Sequence, residues 1–354
     1  MPEPRRLQPY LEDIESRIDP AIEERLWQEW TDFAWGRFRG ELFQPKRSSK
    51  APPGIEWPRV SVNAALDDYE LMALYQLKAC SELLAAGRGD LMTVRCNYGT
   101  GILPSLFGME IFVMEEALET LPTSRPLNDL VAVQRILGRG VPGLQTGYGR
   151  QVLEMGECYA EWLAPYPKIQ KFVRVYHPDI QGPMDVCELI VGSTIFYTLY
   201  DQPELVHSLL ELVTETYSRF LDAWLKIHPF AESANAHWGM LHRGCLMLRD
   251  DSAMNLSGEM VREFVLPYDQ QLFKRYGGGA VHFCGKGDHF IRGLAELEGL
   301  YAINLSQPEL NNMELVYSQT VDHGINLLGL QDWAARQALA VRRDLHGKVH
   351  ILEN

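Results

Sequence analysis

His282 and Cys284 stand two residues apart in the run AVHFCG, and on a β-strand that spacing turns both side chains to one face. An imidazole nitrogen and a thiolate sulfur are preferred zinc ligands, so the pair is a candidate metal edge. The same pair also reads as one buried polar group beside one small apolar residue. Gly285 and Gly287 favour the site reading, because glycine lets the backbone turn sharply and approach a ligand. Two consecutive acids, Asp250 and Asp251, close the run GCLMLRDD, and on a persisting strand they alternate faces. Asp250 is the candidate catalytic base or acceptor for a cationic substrate, with partnership to Arg249 or Arg243 as the plainer reading, and Asp251 is the candidate cap or turn residue.

Further polar residues follow two earlier strand-like runs. HPDIQGPMD at 177–185 offers His177 as a catalytic aid and Asp179 and Gln181 as substrate contacts, although ordinary turn chemistry by Asp and Pro explains the run as well. Arg95, Asn97 and Tyr98 lead into a loop whose close glycines suit a phosphate or carboxylate. That loop lacks the dinucleotide and P-loop glycine patterns, and no nucleophile elbow occurs, so nucleotide binding and serine hydrolysis are not indicated. His237 and His242, near Trp238 and Cys245, match no zinc spacing and read as structural.

The elements that must position these residues alternate. Apolar residues at helical spacing over 11–40, divided by Pro20, and again over 66–86, predict a helical region at 1–90. From 91 onward, strand runs at 91–99, 171–179 and 244–251 alternate with helices at 144–163, 203–227 and 257–276, the last capped by Ser257. Four short strand runs, AVHFCG, LYAINLS, INLLGL and KVHILEN, close the chain. Repeated strand, loop and helix units predict a parallel sheet closed into a (β/α)8 barrel over 91–354, with function at the strand C-terminal ends. Ser306, Gln307, Glu309, Gln331 and Glu353 fall at such ends, and Gln307 and Gln331 are candidate substrate contacts.

Of the 354 residues 46% are hydrophobic and 23% charged, which suits a globular core. A net charge of −14 without a basic tract argues against nucleic acid and anionic membrane as partners. No apolar run is long enough to span a bilayer, the N-terminal residues have no secretory core, and six scattered cysteines fit a reducing cytoplasm. The aromatic-rich N-terminal region is a candidate to close the barrel bottom, to cover the active face or to form a homodimer contact.

The stretches GPMDVCELIVGSTIFYTLYDQPELVHSLLELVTE at 182–215 and SGEMVREFVLPYDQQLFKRYGGGAVHFCGKG at 257–287, with the strands after them, resemble the uroporphyrinogen decarboxylase superfamily. That superfamily includes corrinoid-dependent methyltransferases and is related to cobalamin-independent methionine synthase. In the decarboxylases proper an arginine-rich MRQAGR-like motif and a following aspartate bind the pyrrole nitrogens, and neither is recognisable here; RCNYGTG at 95–101 holds the first-strand position instead. For the methyltransferase branch the resemblance implies a zinc site of His-x-Cys, a carboxylate on the next strand in some members, and a cysteine at the last strand. His282 and Cys284 match the first element, and the carboxylate position falls near Ser306. No cysteine follows Cys284, which leaves Glu309 and Glu353 as candidate replacement ligands.

The resemblance therefore implies an enzyme moving a methyl group from a small methylated compound to a thiol or to a corrinoid carried by a partner protein, with zinc as cofactor. Two other functions remain open at this point. One is decarboxylation of a tetrapyrrole or smaller acid by Arg95, Asp179 and Tyr98, and the other is a noncatalytic barrel that binds a ligand or a corrinoid protein.

Overall fold

The computed structural model describes residues 4–230 and 233–352. Its strands are β1 (Thr93–Val94), β2 (Ile111–Phe112), β3 (Thr123–Ser124), β4 (Arg174–Val175), β5 (Ala234–His237), β6 (Met240–Arg243), β7 (Leu246–Arg249), β8 (Gly279–Phe283), β9 (Leu300–Leu305), β10 (Asn326–Leu330) and β11 (Val349–Ile351). A five-stranded parallel sheet runs in the order β11-β10-β9-β8-β7, and β1 pairs in parallel with β4. The ribbon β2–β3 and the hairpin β5–β6 are antiparallel.

The continuous eight-stranded ring expected from the alternation is not drawn by the backbone ladder among the described residues. Parallel strands fall into the sheet of five and the pair, and single hydrogen bonds join the two groups. Met247 N–H donates to His177 Nε2 at 3.3 Å, and Gly182 N–H donates to the Arg249 carbonyl at 2.9 Å. The runs at 91–99 and 171–179 contribute only two ladder residues each. Pro178 has no N–H to give, and the neighbouring His177 ring takes up the Pro178 carbonyl.

Strand periodicity sorts side chains between two cores. Leu246, Leu248, Val281, Phe283, Ile303 and Leu305 pack outward against the helices. Each such side chain, fully buried, contributes roughly 1.5–3 kcal/mol. Met247, Ala280 and Ala302 face the other way, into a second core with Trp30, Phe33, Phe43, Ala236 and Leu241. The alanines leave room there for the aromatic rings of helix Pro20–Ala34, which is capped by Asp19 accepting from Ala21 N–H at 2.9 Å. Asn326, at the start of β10, donates to the Phe33 carbonyl, so this helix sits at the N-terminal ends of the strands. The opposite ends are left for chemistry.

Helix Pro203–Trp224 forms where expected. The helix expected over 257–276 divides into Gly258–Phe264 and Leu266–Tyr276, with Pro267 in the first turn of the second, because proline disfavours a helical residue before it. Ser257 caps the first, accepting from Met260 N–H at 3.2 Å.

Candidate metal centre

Adjacent strands are in register as Arg249↔His282 and His282↔Asn304, so these three side chains stand side by side on the inward face. Two residues further along each chain, beyond the strand ends, come Asp251, Cys284 and Ser306. Ligand atoms of Asp251, His282 and Cys284 all lie within 4.8 Å of one another. Cys284 Sγ is 3.5 Å from His282 Nε2, and His282 Nε2 is 3.7 Å from Asp251 Oδ1. Sulfur, nitrogen and oxygen thus converge, a donor set that suits zinc.

The neighbours aim these atoms. Asn304 Oδ1 lies 2.6 Å from His282 Nδ1 and accepts its proton, while Asn304 Nδ2 donates to the Leu328 carbonyl at 2.7 Å, which settles the amide orientation. The Nε2 lone pair is thereby left facing Cys284 and Asp251, the arrangement by which a second hydrogen bond prepares a histidine ligand. Asp251 Oδ1 accepts from Cys284 N–H at 2.7 Å, tying the two ligand-bearing segments together. Gly285 then turns away with φ 77°, its N–H donating to Gln307 Oε1 at 2.6 Å, and a Cβ there would strike Met254.

Burial lowers the pKa of His282 against the pull of Asp251 and Asn304, so the ring is neutral at pH 7. Burial also raises the Cys284 thiol, with the Ser306 hydroxyl working the other way. A cation would have to displace the thiol proton, as thiolate is the ligand form.

Next to this group, Arg95 and Arg249 both pair with Asp179, an arrangement with one positive charge in excess. Arg249 and Asp179 are buried. A cleft of about 580 Å³ opens alongside, with Tyr75, Arg95, Asn97, Tyr176 and Trp238 in its wall. Asn97 is buried with its Oδ1 free of any hydrogen-bond partner, and the Tyr98 hydroxyl is likewise unsatisfied beside the Tyr148 ring. Trp238 belongs to both places, since its indole lies 5.1 Å from the His282 ring.

The remaining expected residues are dispersed. His177 is buried below the site in a chain of imidazoles with His237 and His242. Asp250 points away from the mouth and shares a hydrogen bond with Asp269, and no donor from elsewhere reaches either carboxyl. Burial and the charge of Asp269 hold the Asp250 pKa well up, while burial and the charge of Asp185 hold that of Asp269 at about 8. Gln181 is buried, and Gln331 Nε2 donates to the Ser306 carbonyl at 3.1 Å, bracing the strand end that carries Ser306. Glu309 lies exposed on the turn Pro308–Leu310 and is not part of the converging group, and Glu353 falls outside the described residues. Asp251, Asn304 and Arg249 are the members that sequence reading did not place. Asn304 left a trace, being the one polar residue inside the apolar run LYAINL.

No family model and no curated protein matches this chain. Among solved structures, a methyltransferase from Methanosarcina mazei superposes with a TM-score of 0.59 over 82% of this chain and 81% of its own, at 19% identity. The likeness fixes a shared fold. No helix among the described residues is long and apolar enough to cross a membrane.

Proposed function

We propose that this chain is a zinc-dependent methyltransferase of the uroporphyrinogen decarboxylase superfamily, built as a variant of the (β/α)8 barrel. The observation that carries the reading is the convergence of Asp251, His282 and Cys284 with the His282 tautomer set by Asn304. The fold shared with a methyltransferase supports it. Asp251 takes the role for which Glu309 and Glu353 were candidates. Zinc in such a site supplies Lewis acidity that favours the thiolate form of an acceptor thiol. Asn304 and Ser306 orient the ligands, and the excess positive charge at Arg95 and Arg249 draws the charged end of a substrate into the cleft. Asn97 Oδ1 accepts a donor from the substrate. The methyl group comes from a small methylated compound and passes to a thiol or to a corrinoid on a partner protein.

A second reading rests on the Arg95–Asp179–Arg249 cluster, which would serve decarboxylation of an acid without any metal. Zinc analysis of protein purified without chelators separates the two. The methyltransferase reading expects close to one zinc per chain, lost in His282→Ala and Cys284→Ser, and methylation of cob(I)alamin or a thiol that falls with it. Activity that survives His282→Ala with no zinc bound overturns it in favour of the arginine cluster.

A further inference from the structure

The hairpin β5–β6 turns through Trp238 and Gly239, both with positive φ, at 50° and 80°. Two-residue hairpins with this backbone favour Asn-Gly, because Cβ crowds the carbonyl in the left-handed conformation and the short polar side chain of Asn offsets this by local hydrogen bonding. A bulky residue there is an outlier, and outliers of this kind persist where the surroundings use the side chain. Gly239 is accounted for by close packing. A Cβ on it would meet Asp90 and the Leu91 backbone, and its carbonyl accepts from Leu91 N–H at 2.8 Å. The tip of the hairpin is thus pinned beside β1 whatever residue occupies 238, so the indole is not needed to hold the turn.

What the indole does touch is the site. It meets the His282 ring edge to face, at 5.1 Å and 76°, and the Arg249 guanidinium lies 4.9 Å from its centroid. His282 and Arg249 are register partners across β7 and β8, so one ring covers two neighbouring functional side chains. The same residue lines the cleft. His282 has its Nδ1 edge fixed by Asn304, yet a hydrogen bond at one edge leaves the ring free to rock about it. The indole removes that freedom, and its electron-rich face stabilises the nearby cation of Arg249.

We infer that Trp238 is a positioning residue, retained against its backbone cost because it locks the His282 imidazole and the Arg249 guanidinium in place together. The inference rests on the metal-site reading only in its first test. Trp238→Asn supplies the residue the turn prefers and removes the indole, and Trp238→Phe keeps an aromatic face. In Co(II)-loaded full-length protein, Trp238→Asn weakens Co(II) affinity about tenfold, in the range expected when a ligand's supporting contact is lost. It also shifts the visible Co(II) bands, while its melting temperature stays within a few degrees of the parent. Trp238→Phe recovers affinity to within about threefold of the parent. Unchanged Co(II) affinity and spectrum in Trp238→Asn overturn the inference.

If the parent protein takes up no Co(II), the metal reading fails, and Trp238 is then judged on the metal-free chain. There the His282 ring, followed by NMR relaxation at its Cε1–H, becomes more mobile in Trp238→Asn and stays as in the parent in Trp238→Phe. Identical His282 relaxation in all three proteins would refute the positioning role.

Discussion

Inside this fold the upper group around His282 and the lower cluster of His177, His237 and His242 use imidazole differently, and of the two only the upper has a nitrogen left to offer a ligand. At the strand ends, His282 spends Nδ1 on Asn304 and keeps Nε2 for Cys284 and Asp251, in a place that Asp251 and Cys284 leave partly open. One layer below, every nitrogen of His177, His237 and His242 faces backbone or another ring of the cluster. His242 Nδ1 and His177 Nδ1 face the carbonyls of Arg243 and Pro178, and His237 lies between, 2.8 Å from His242 Nε2 and 2.9 Å from His177 Nε2. All three rings are buried. The same side chain is therefore a ligand or a brace according to what its second nitrogen meets, and sequence spacing alone does not record that.

The contrast is broken most forcefully by truncating one ring in each group. His237→Ala leaves His177 and His242 with unpaired buried nitrogens and a cavity, and should cost about 3–5 kcal/mol in unfolding free energy by urea titration. His282→Ala should cost the metal-free protein less, about 1–2 kcal/mol, because its ring is hydrogen-bonded at Nδ1 alone, while abolishing zinc binding. Equal destabilisation by the two would erase the distinction. A gentler change, Asn304→Ala, should weaken zinc affinity about 10–100-fold by freeing the His282 tautomer, with the fold intact by circular dichroism.

Acidity separates the layers as well. Burial holds His177 at about 3 and His242 at about 4, below the ordinary imidazole value of about 6.5. The unfolded chain then binds protons that the folded chain does not, so their contribution to stability is present above about pH 6.5 and is lost as pH falls toward 4 and 3. Asp269, held at about 8 by burial and Asp185, works in the opposite sense. The folded form keeps a proton the unfolded form has released, and stability falls as pH rises from about 4 to 8. Unfolding free energies of His242→Gln and Asp269→Asn across pH 4–8 should lose the acid and the alkaline slope respectively. A profile that neither variant alters would contradict the assignment.

The upper layer has its own pH dependence. Since the Cys284 thiol is raised and its proton must leave, zinc affinity should rise by about tenfold per pH unit between pH 6 and 8, and Cys284→Ser should flatten that slope.

Much of this was legible in the chain. His282 and Cys284 share a face because strands have period two, and the helices at 147–163 and 203–224 follow from apolar spacing and an opening proline or glycine. The faces of Asp250 and Asp251 were not resolvable, because LML before them is apolar on both faces and Arg249 alone does not say which face is inward; the pairing Arg249↔His282 does. Arg95 and Arg249 meet on Asp179 only through the docking of β4 against β7, a contact between distant segments with no local signature. The ladder among the described residues does not trace a closed ring, since the strand-like runs around Pro178 bond to side chains instead.

The central claim is that the upper group holds a metal and the lower does not. Crystals of the full-length protein grown with zinc, measured at the zinc absorption edge, test it directly. The account predicts one anomalous peak per chain, within bonding distance of Asp251, His282 and Cys284, and none beside His177, His237 or His242. A peak in the lower group, or an empty upper group at saturating zinc, would contradict it.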